Sequence, residues 1–392
     1  MKLKFLTMDD VPLDNKRVLF REDFNVPIAG MLVQNDLRIR AALPGIKQAL
    51  AAKAQVHLIS HLGRPEAGSW DAQFSLQPVA KCLERLLSVP VAFVKDLLKP
   101  DFLPTDKIIL YENIRFLRGE LENSDYLAKQ MASLCDVFVF DAFASAHRAH
   151  ASTVGITEYA SIAVAGPLLT QEVIALDKIM RNQTKPVVAI IGGSKVSSKF
   201  EILLSMVSLV DVLIVGGGLA NTLIAAMGNE VGCSLFEPDL IDSAKNLLFA
   251  AKSNGCQILA PTDVIVQDGT QKDCADILKS DKIMDIGSKT LFTYVAAINN
   301  AKTILWNGPL GVFEDPNFAN GTRRVAEAIA NSQAFSVAGG GDTVAAIEQF
   351  KITDKISYVS TGGGAFLEYI EGEELPAISA LIKKSKHSVK TN

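Results

Sequence analysis

The sequence predicts an α/β protein of two doubly wound parallel-sheet (Rossmann-like) domains joined by a hinge helix. Short apolar runs rich in β-branched and aromatic residues alternate with segments of helical spacing along the whole chain. At 392 residues and 48% hydrophobic content, the chain is long enough for two buried cores. Apolar strands separated by helices indicate parallel sheets that are covered on both faces.

Each half of the chain contains six predicted strands. Those of the first half span residues 17–21, 56–60, 91–94, 107–111, 136–140 and 162–165. Those of the second half span residues 186–191, 211–215, 257–260, 303–306, 334–338 and 356–360. Ligands of open α/β sheets bind outside the carboxyl ends of the strands, so function is expected in the residues that follow each strand.

A helix and a short polar linker join the halves. The helix is expected to begin at Gly166 and Pro167, and its apolar residues fall on one face: Leu169, Val173, Leu176 and Met180. The polar residues 181–185 and Pro186 then separate this helix from the first strand of the second half.

Composition excludes several classes of function. The chain has 39 Lys and Arg against 43 Asp and Glu, so it has no basic excess for nucleic acid. Its longest apolar stretches, such as residues 161–170, are about half of the roughly 20 residues that span a membrane. The first ten residues lack the apolar core of a secretory signal, so we expect a cytoplasmic protein. Five unpaired cysteines are expected to be reduced core residues: Cys82, Cys135, Cys233, Cys256 and Cys274.

Arginines lie near the strand ends of the first half: Arg21, Arg38, Arg64, Arg115 and Arg148. The planar guanidinium matches phosphate and carboxylate oxygens, so several arginines converging on one crevice suit a small molecule with several negative charges. Asp23 and Asn25 are candidates for binding hydroxyls. The histidines that share these loops, His61, His147 and His150, are candidate cationic donors. Any one of these arginines could equally be an ordinary surface residue; their recurrence at equivalent positions favours a site.

The strand ends of the second half are rich in glycine. The glycine runs lie within residues 191–195, 215–218, 306–311, 338–343 and 361–364. Glycine lets backbone N–H groups approach a ligand closely, and a helix N-terminus adds partial positive charge, which together suit phosphates. A single run could be only a tight turn. Neither the P-loop pattern nor the three-glycine dinucleotide pattern is present.

Two lysines and one aspartate of these loops are candidate phosphate and metal ligands. Lys195 and Lys199 are one helical turn apart, on a helix that Ser194 could cap, so both can point toward a phosphate chain. Asp342 is a candidate magnesium ligand, and a role as a helix N-cap explains it equally well.

Together these motifs resemble the phosphoglycerate kinase family, whose members exchange a phosphoryl group between ATP and 3-phosphoglycerate. The sequence of residues 17–27 resembles the family signature, and it is followed in order by similar motifs in residues 60–65, 141–150, 192–199, 306–314 and 339–343. The resemblance covers nearly the whole chain. Ala144-Ser145 departs from it, since the family commonly has Gly-Thr there.

The resemblance implies a role for each matching residue. The phosphoglycerate ligands would be Asp23, Phe24, Asn25, Arg38, His61, Leu62, Gly63, Arg64, Arg115 and Arg148. The nucleotide ligands would be Lys199, Glu314, Gly340, Gly341, Asp342 and Thr343, with Glu314 at the ribose and Asp342 binding through Mg²⁺. The catalytic residues would be Arg38, Lys195 and Lys199.

The resemblance also implies that residues 375–392 return to the first domain. We therefore expect a phosphoglycerate-binding domain of residues 1–168 and 375–392, a linking helix and hinge of residues 169–185, and a nucleotide-binding domain of residues 186–374. With no heptad seam in the sequence, we expect a monomer.

The implied chemistry needs no general base, because the nucleophile is a carboxylate that is already ionised at neutral pH. Catalysis would depend on positioning and charge neutralisation, with closure of the two domains excluding water. Two alternatives are a nicotinamide-dependent dehydrogenase and a two-lobed metabolite-binding protein. The missing dinucleotide pattern argues against the first, and five glycine loops with paired lysines argue against the second.

Overall fold

The computed structural model describes residues 3–99, 106–194 and 197–388. The chain divides into two compact units. The first unit runs from the start of the chain to Ile174 and includes the residues from Glu374 onward, and the second unit is Ala175–Glu373.

A six-stranded parallel sheet forms the centre of the first unit, in the order β5-β6-β4-β1-β7-β8. The strands of this unit are β1 (Arg17–Arg21), β2 (Ile28–Ala29), β3 (Leu32–Val33), β4 (Gln55–Ile59), β5 (Ala92–Val94), β6 (Ile108–Tyr111), β7 (Val137–Phe140) and β8 (Ile162–Ala165). Phe20 of the central strand β1 pairs with Leu58 on one side and Val139 on the other. All six predicted strands are confirmed to within one residue at each end. The short hairpin β2–β3 was not predicted.

Helices cover this sheet: α1 (Leu37–Ala51), α2 (Gln77–Leu87), α3 (Asp125–Ser133) and α4 (Ile156–Tyr159). Helix α1 packs against the sheet through Ile39, Ile46 and Ala49, which recur at helical spacing and are fully buried. They lie in one apolar cluster with Val18 and Phe20 of β1. This packing fixes the first turn of α1 beside the loop that follows β1.

The predicted linking helix is present as α5 (Pro167–Met180). Leu169, Val173 and Leu176 are buried, as their spacing indicates, and Met180 is half-buried. Residues of α5 up to Ile174 belong to the first unit, and those from Ala175 belong to the second.

The second unit is built on another six-stranded parallel sheet, in the order β11-β10-β9-β15-β16-β17. The strands of this unit are β9 (Val187–Ile191), β10 (Val212–Val215), β11 (Gln257–Leu259), β12 (Asp263–Val266), β13 (Gln271–Asp273), β14 (Ile283–Ile286), β15 (Thr303–Asn307), β16 (Phe335–Gly339) and β17 (Tyr358–Ser360). The six predicted strands are again confirmed, to within two residues. The antiparallel sheet β13-β12-β14 was not predicted.

The helices of the second unit are α6 (Phe200–Met206), α7 (Gly217–Ala226), α8 (Ile241–Asn254), α9 (Ser288–Asn300), α10 (Asn320–Asn331), α11 (Gly341–Gln349) and α12 (Gly364–Glu371). The chain then returns to the first unit as α13 (Pro376–Ser388), which contacts β8 and α4. There the Leu6 N–H donates to Ser385 Oγ at 2.9 Å, and the Ala377 N–H donates to the Ala146 carbonyl at 3.1 Å.

In both parallel sheets, the order in which strands are added reverses beside the first strand. In the first sheet β4 lies on one side of β1 and β7 on the other, and in the second sheet β10 and β15 flank β9 in the same way. Crevices at such reversals are the preferred ligand sites of open α/β sheets. The loops after β1 and β7, and those after β9 and β15, are therefore the places to examine.

Two predictions from composition can be compared with the described residues. No helix among them is both long enough and apolar enough to cross a membrane. All five cysteines are free; four are buried, but Cys233 is exposed, so its assignment to the core was wrong. Cys233 lies in the loop between α7 and α8, where its N–H donates to the carbonyl of Asp281.

Candidate functional site

The first crevice contains an ion pair between Arg38 and Asp23. Arg38 Nη1 donates to Asp23 Oδ2 at 2.7 Å and to the Asn25 carbonyl at 3.3 Å. Arg38 is the second residue of α1, so its side chain reaches the loop after β1 from the helix that packs on that strand. Two predicted phosphoglycerate ligands thus lie side by side.

Hydrogen bonds connect this loop to those that follow β4 and β6. The Gly63 N–H donates to Asn25 Oδ1 at 2.9 Å, and Arg115 donates to the Gly63 carbonyl. The neighbouring Arg64 side chain is exposed. Four further predicted ligands are therefore at the carboxyl ends of adjacent strands.

Phe24 and Leu62 occupy the same loops but turn their side chains into the core, where they are 0% and 5% exposed. The Phe24 N–H donates to Ser60 Oγ at 2.8 Å, and the Leu62 carbonyl accepts from Asn113 Nδ2 at 2.7 Å. These two residues anchor the loops, and only their backbones are available to a ligand.

Several guanidinium groups act on one buried imidazole. Arg21 Nη2 lies 3.2 Å from His61 Nδ1. Burial holds the pKa of His61 well below its usual value, and Arg21, Arg115, Arg148 and Arg38 lower that pKa further. Arg21 thus contacts His61, and Arg38, Arg115 and Arg148 lie close enough to affect its pKa.

The lowered pKa values of the three histidines argue against the hypothesis of cationic donors. His61 is neutral at pH 7 for the reason just given. Burial and the arginines lower the pKa of His150 to about 4, and burial and Arg148 lower the pKa of His147. Arg148 Nε donates to His147 Nε2 at 3.2 Å, which is consistent with a neutral ring. The arginines are therefore the source of positive charge among the described residues of these loops.

That positive charge is incompletely balanced. Burial, together with repulsion from Arg148, Arg21 and Arg64, lowers the pKa of Arg115 to about 10, and Glu120 offsets part of this shift. We call Arg21, Arg38, Arg64, Arg115 and Arg148 the arginine cluster. A guanidinium with a lowered pKa is one that an anionic ligand would stabilise.

Sequence reasoning missed the carboxylate that supports this cluster. Glu120 is 1% exposed and accepts from Ser152 Oγ at 2.6 Å, and Arg21 Nε donates to the same hydroxyl at 3.0 Å. Glu120 lies in the turn that follows Arg115, and no local pattern distinguishes it.

In the second unit, Lys199 lies between two glycine loops. Its ammonium donates to the Gly192 carbonyl, and a Cβ atom on Gly193 or Gly308 would be only 3.1 or 2.9 Å from Lys199 Nζ. Burial lowers the pKa of Lys199 to about 8, while Asp342 acts in the opposite direction. The lysine thus connects the loops that follow β9 and β15.

The local helix differs from its prediction. A single 3₁₀ turn covers Ser197–Lys199, and Lys199 itself is the N-cap of α6, so Ser194 does not cap that helix. Lys195 lies outside the described residues, and its predicted position on the same helical face stays a prediction.

Side-chain hydrogen bonds join the loops after β15 and β16. Thr343 Oγ1 accepts from the Gly308 N–H at 2.6 Å, and Asn307 Nδ2 donates to the Gly339 carbonyl at 2.8 Å. The Thr343 hydroxyl is therefore used within the protein. The backbone N–H groups of Gly341, Asp342 and Thr343 lie in the first turn of α11, where a phosphate is favoured.

Asp342 does not cap α11, because the N-cap of that helix is Gly340. Its side chain is exposed, and within the described chain no hydrogen bond or ion pair involves it. Of the two explanations left open by the sequence, the N-cap is therefore excluded.

A cavity of about 450 Å³ adjoins these loops. Its glycine side includes Gly193, Gly217, Gly218 and Gly311, its apolar side includes Leu235, Val264, Met284, Leu310 and Val312, and it also contacts Glu314 and Asp342. We call it the glycine-lined cavity; its size is typical of small-molecule sites. Sequence reasoning missed Met284 because it lies on β14, in the unpredicted sheet.

Comparisons with known proteins identify the family of this chain. The phosphoglycerate kinase family model matches residues 8–373. Curated phosphoglycerate kinases of Legionella pneumophila strains Paris and Corby are each 52% identical to the chain, over 100% of both sequences.

Solved structures give the same result. Phosphoglycerate kinase from Coxiella burnetii has a TM-score of 0.93 and 48% identity, covering 97% of this chain and 100% of its own. The enzyme from Pyrococcus horikoshii OT3 has a TM-score of 0.82 and 30% identity, covering 97% and 99%. The chain therefore belongs to the phosphoglycerate kinase family and is a phosphotransferase.

Proposed function

We propose that this chain catalyses reversible phosphoryl transfer between ATP and the carboxylate of 3-phosphoglycerate, giving 1,3-bisphosphoglycerate and ADP. The observation that carries the proposal is the meeting of three arginines at the strand ends of the first sheet: Arg21 lies 3.2 Å from His61, Arg38 is paired with Asp23, and Arg115 donates to the Gly63 carbonyl. Such a concentration of guanidinium groups suits a ligand with both a phosphate and a carboxylate.

We assign 3-phosphoglycerate to the first unit. Arg64, Arg115 and Arg148 supply charge for its anionic groups, and His61 donates or accepts as a neutral imidazole. Asp23 and Asn25, held by Arg38 and Gly63, are placed to bind its hydroxyl. Phe24, Leu62 and Gly63 keep these loops in position through their backbones.

We assign the nucleotide to the second unit. The apolar side of the glycine-lined cavity suits a purine base, and Glu314, which also contacts the cavity, is available to the ribose hydroxyls. Lys199 and the first turn of α11, which includes Gly341, Asp342 and Thr343 and follows Gly340, would bind the phosphates.

Magnesium fits this arrangement at Asp342. The carboxylate is exposed beside the cavity, is not used as a helix cap, and lies close enough to affect the pKa of Lys199. A single carboxylate with nucleotide phosphate oxygens and waters is the usual environment of Mg²⁺ in kinases. When bound, the ion would neutralise phosphate charge.

The protein's own contribution to the reaction is charge and position. The attacking carboxylate is ionised at neutral pH, so no side chain needs to remove a proton. Arg38, Lys195 and Lys199 would stabilise the negative charge that spreads over the transferring phosphoryl oxygens. Two of these side chains are already held in position: Arg38 by its ion pair with Asp23, and Lys199 by its hydrogen bond to the Gly192 carbonyl.

The two ligand sets belong to different compact units. We propose that these units correspond to a phosphoglycerate-binding domain of residues 1–168 and 375–392 and a nucleotide-binding domain of residues 186–374. We therefore infer that the reaction requires closure about residues 169–185, which also excludes water. Compaction measured by small-angle scattering should appear only with both substrates present. We further propose that the enzyme acts in the cytoplasm as a monomer.

The decisive experiment is a coupled assay of ADP formation from ATP with 3-phosphoglycerate, compared with other phosphorylated carboxylic acids. Selective turnover of 3-phosphoglycerate is expected. Turnover that does not depend on the acid, or that prefers another acid, would contradict the assignment of the substrate.

A further inference from the structure

Two buried carboxyl groups lie behind the arginine cluster and have no part in the proposed chemistry. Glu22 follows β1 and Asp141 follows β7, the strands that flank the reversal of the first sheet, and each residue is 1% exposed. Glu22 Oε1 and Asp141 Oδ2 are both buried, and neither has a hydrogen-bond partner among the described residues. A buried carboxylate oxygen without a partner is costly, so these two atoms require an explanation.

The other oxygen of Asp141 is bound to the linking helix. Asp141 Oδ1 accepts from the Leu169 N–H at 2.8 Å, in the first turn of α5. A Cβ atom on Gly166 would lie 2.2 Å from Asp141 Cγ, so the carboxyl packs directly against the entry to this helix. Asp141 thus acts as a cap supplied by a neighbouring strand.

The space around Asp141 Oδ2 is closed on the side of α1. A Cβ atom on Gly45 would lie 3.3 Å from Asp141 Oδ2, 3.3 Å from Phe20 Cε1 and 3.1 Å from Pro167 Cδ. A methyl group would already be crowded there, and a water molecule is of similar size. On the other side, Arg21 and Phe140 are partners in the register of β1 and β7, so Glu22 and Asp141, the next residues, occupy neighbouring positions of the two strands.

The surrounding charges favour a retained proton. Burial raises the pKa of Glu22 well above its usual value; Asp141 and Asp23 raise this pKa further, and Arg21 acts against them. Burial also raises the pKa of Asp141 to about 7, against the effect of the Leu169 and Leu168 N–H groups. Gly45 of α1, which lies beside Asp141, brings no charge. Two adjacent buried carboxyl groups of this kind titrate as a pair.

We propose that Glu22 and Asp141 share one proton, in a hydrogen bond between Glu22 Oε1 and Asp141 Oδ2, and thereby position the loop of Asp23 and Asn25 against the first turn of α5. Sharing gives each unpaired oxygen a partner and leaves one negative charge, which the N-terminus of α5 stabilises. Neither carboxyl is among the proposed substrate ligands, so both are positioning residues.

Infrared spectroscopy of the full-length protein tests the shared proton. At pH 7 the wild type should show a carboxylic-acid C=O stretch that both Glu22→Gln and Asp141→Asn abolish, because the carboxamide N–H replaces the shared proton. Glu112→Gln is a matched control: Glu112 is also buried, but its oxygens accept from Ser75, Leu76 and Trp70, so the band should persist. A wild type without the band, or a band that survives in both variants, overturns the proposal.

Amide hydrogen exchange tests the positioning. Between the usual pKa of a carboxyl group and the pKa of the pair, only the folded protein holds the shared proton. Protection of the Leu169 amide in the wild type should therefore fall by roughly tenfold for each pH unit over this range and level off once the pair has lost the proton. Glu22→Gln cannot lose that proton and should keep its protection. Equal pH dependence in the two proteins overturns the positioning role.

The effect on turnover rests on the proposed function. If the first turn of α5 supports phosphoryl transfer, kcat of the wild type should fall as the pH rises through the value at which Leu169 protection levels off, because the folded protein loses the shared proton there, and kcat of Glu22→Gln should not. If the protein shows the spectroscopic and exchange results but does not use 3-phosphoglycerate, the proposed function is refuted and the proposal of a shared proton is retained. Parallel alkaline losses of kcat in both proteins would remove the pair from catalysis.

Discussion

Arg38 Nη1 and Asp23 Oδ2 are 2.7 Å apart, and this pair joins the first turn of α1 to the loop after β1. Both residues are proposed ligands, and Arg38 is also a proposed source of charge for the transferring phosphoryl group. Arg38→Ala is therefore expected to lower kcat by about 10²-fold, the usual effect of removing one transition-state donor.

The matched control for Arg38 is two residues along the same helix. Arg40 forms an exposed pair with Asp36 at 2.8 Å, so Arg40→Ala should leave kcat nearly unchanged. Steady-state kinetics of both variants, with circular dichroism to verify the fold, decide the matter. Equal kcat for Arg38→Ala and Arg40→Ala would remove Arg38 from the mechanism.

Lys199 should make nucleotide binding depend on pH. Its pKa of about 8 in the free protein means that the ammonium loses its proton as the pH rises through that value. Binding of anionic phosphates favours the charged form, so the KM for ATP should increase above pH 8. Lys199→Met should show a higher KM with no such increase.

Lys185→Met is the control for Lys199, because Lys185 is an exposed lysine paired with Asp211. Its KM profile should follow that of the wild type. A pH profile of Lys199→Met that still rises near pH 8 would assign this titration to another group.

His57 should make the fold less stable in acid. It lies on β4 with Nδ1 2.9 Å from the Tyr111 hydroxyl, and burial lowers its pKa to about 4. The unfolded state, with a histidine pKa near 6.5, binds more protons at pH 5 than the folded state does. Stability is therefore lost as the pH falls below 6.5, by about 2 kcal/mol between pH 7 and pH 5.

Urea unfolding of wild type and His57→Gln at pH 7 and pH 5 measures this contribution. The variant should be less stable at pH 7, but its free energy of unfolding should fall less between the two pH values. The same decrease in both proteins would show that His57 is not responsible.

Asp342→Asn should raise the Mg²⁺ concentration needed for nucleotide binding, because the single candidate carboxylate ligand loses its charge. Fluorescence titration of MgATP at several metal concentrations provides the measurement. Asp354→Asn, at an exposed aspartate of the same unit, is the control. An Asp342→Asn titration that coincides with the control would exclude Asp342 as the metal ligand.

The parallel sheets could be predicted because buried parallel strands are continuous apolar runs. Val187–Ile191 is buried at every position, and the sequence alone identifies it. The antiparallel strand β13 (Gln271–Asp273) has no apolar residue, so pattern reasoning could not find it. Without its partner β12, strand β14 was missed as well, and with it Met284 of the glycine-lined cavity.

The residue types of the candidate site were predictable from their place after the strands, but their protonation was not. His61 was taken as a cationic donor because it shares a loop with Arg64. In the structure Arg21 lies 3.2 Å from the ring and several more guanidinium groups act on it, which favours the neutral form. Charge at such a site depends on burial and on residues distant in sequence, such as Arg148.

The bond between Leu6 and Ser385 spans 379 positions of the chain. During synthesis on the ribosome, α13 therefore emerges only after the whole of Ala175–Glu373, and until then the surface of β8 that it contacts lacks its cover. The second unit, which is one uninterrupted stretch, can complete its folding first, whereas the first unit must wait for the last helix.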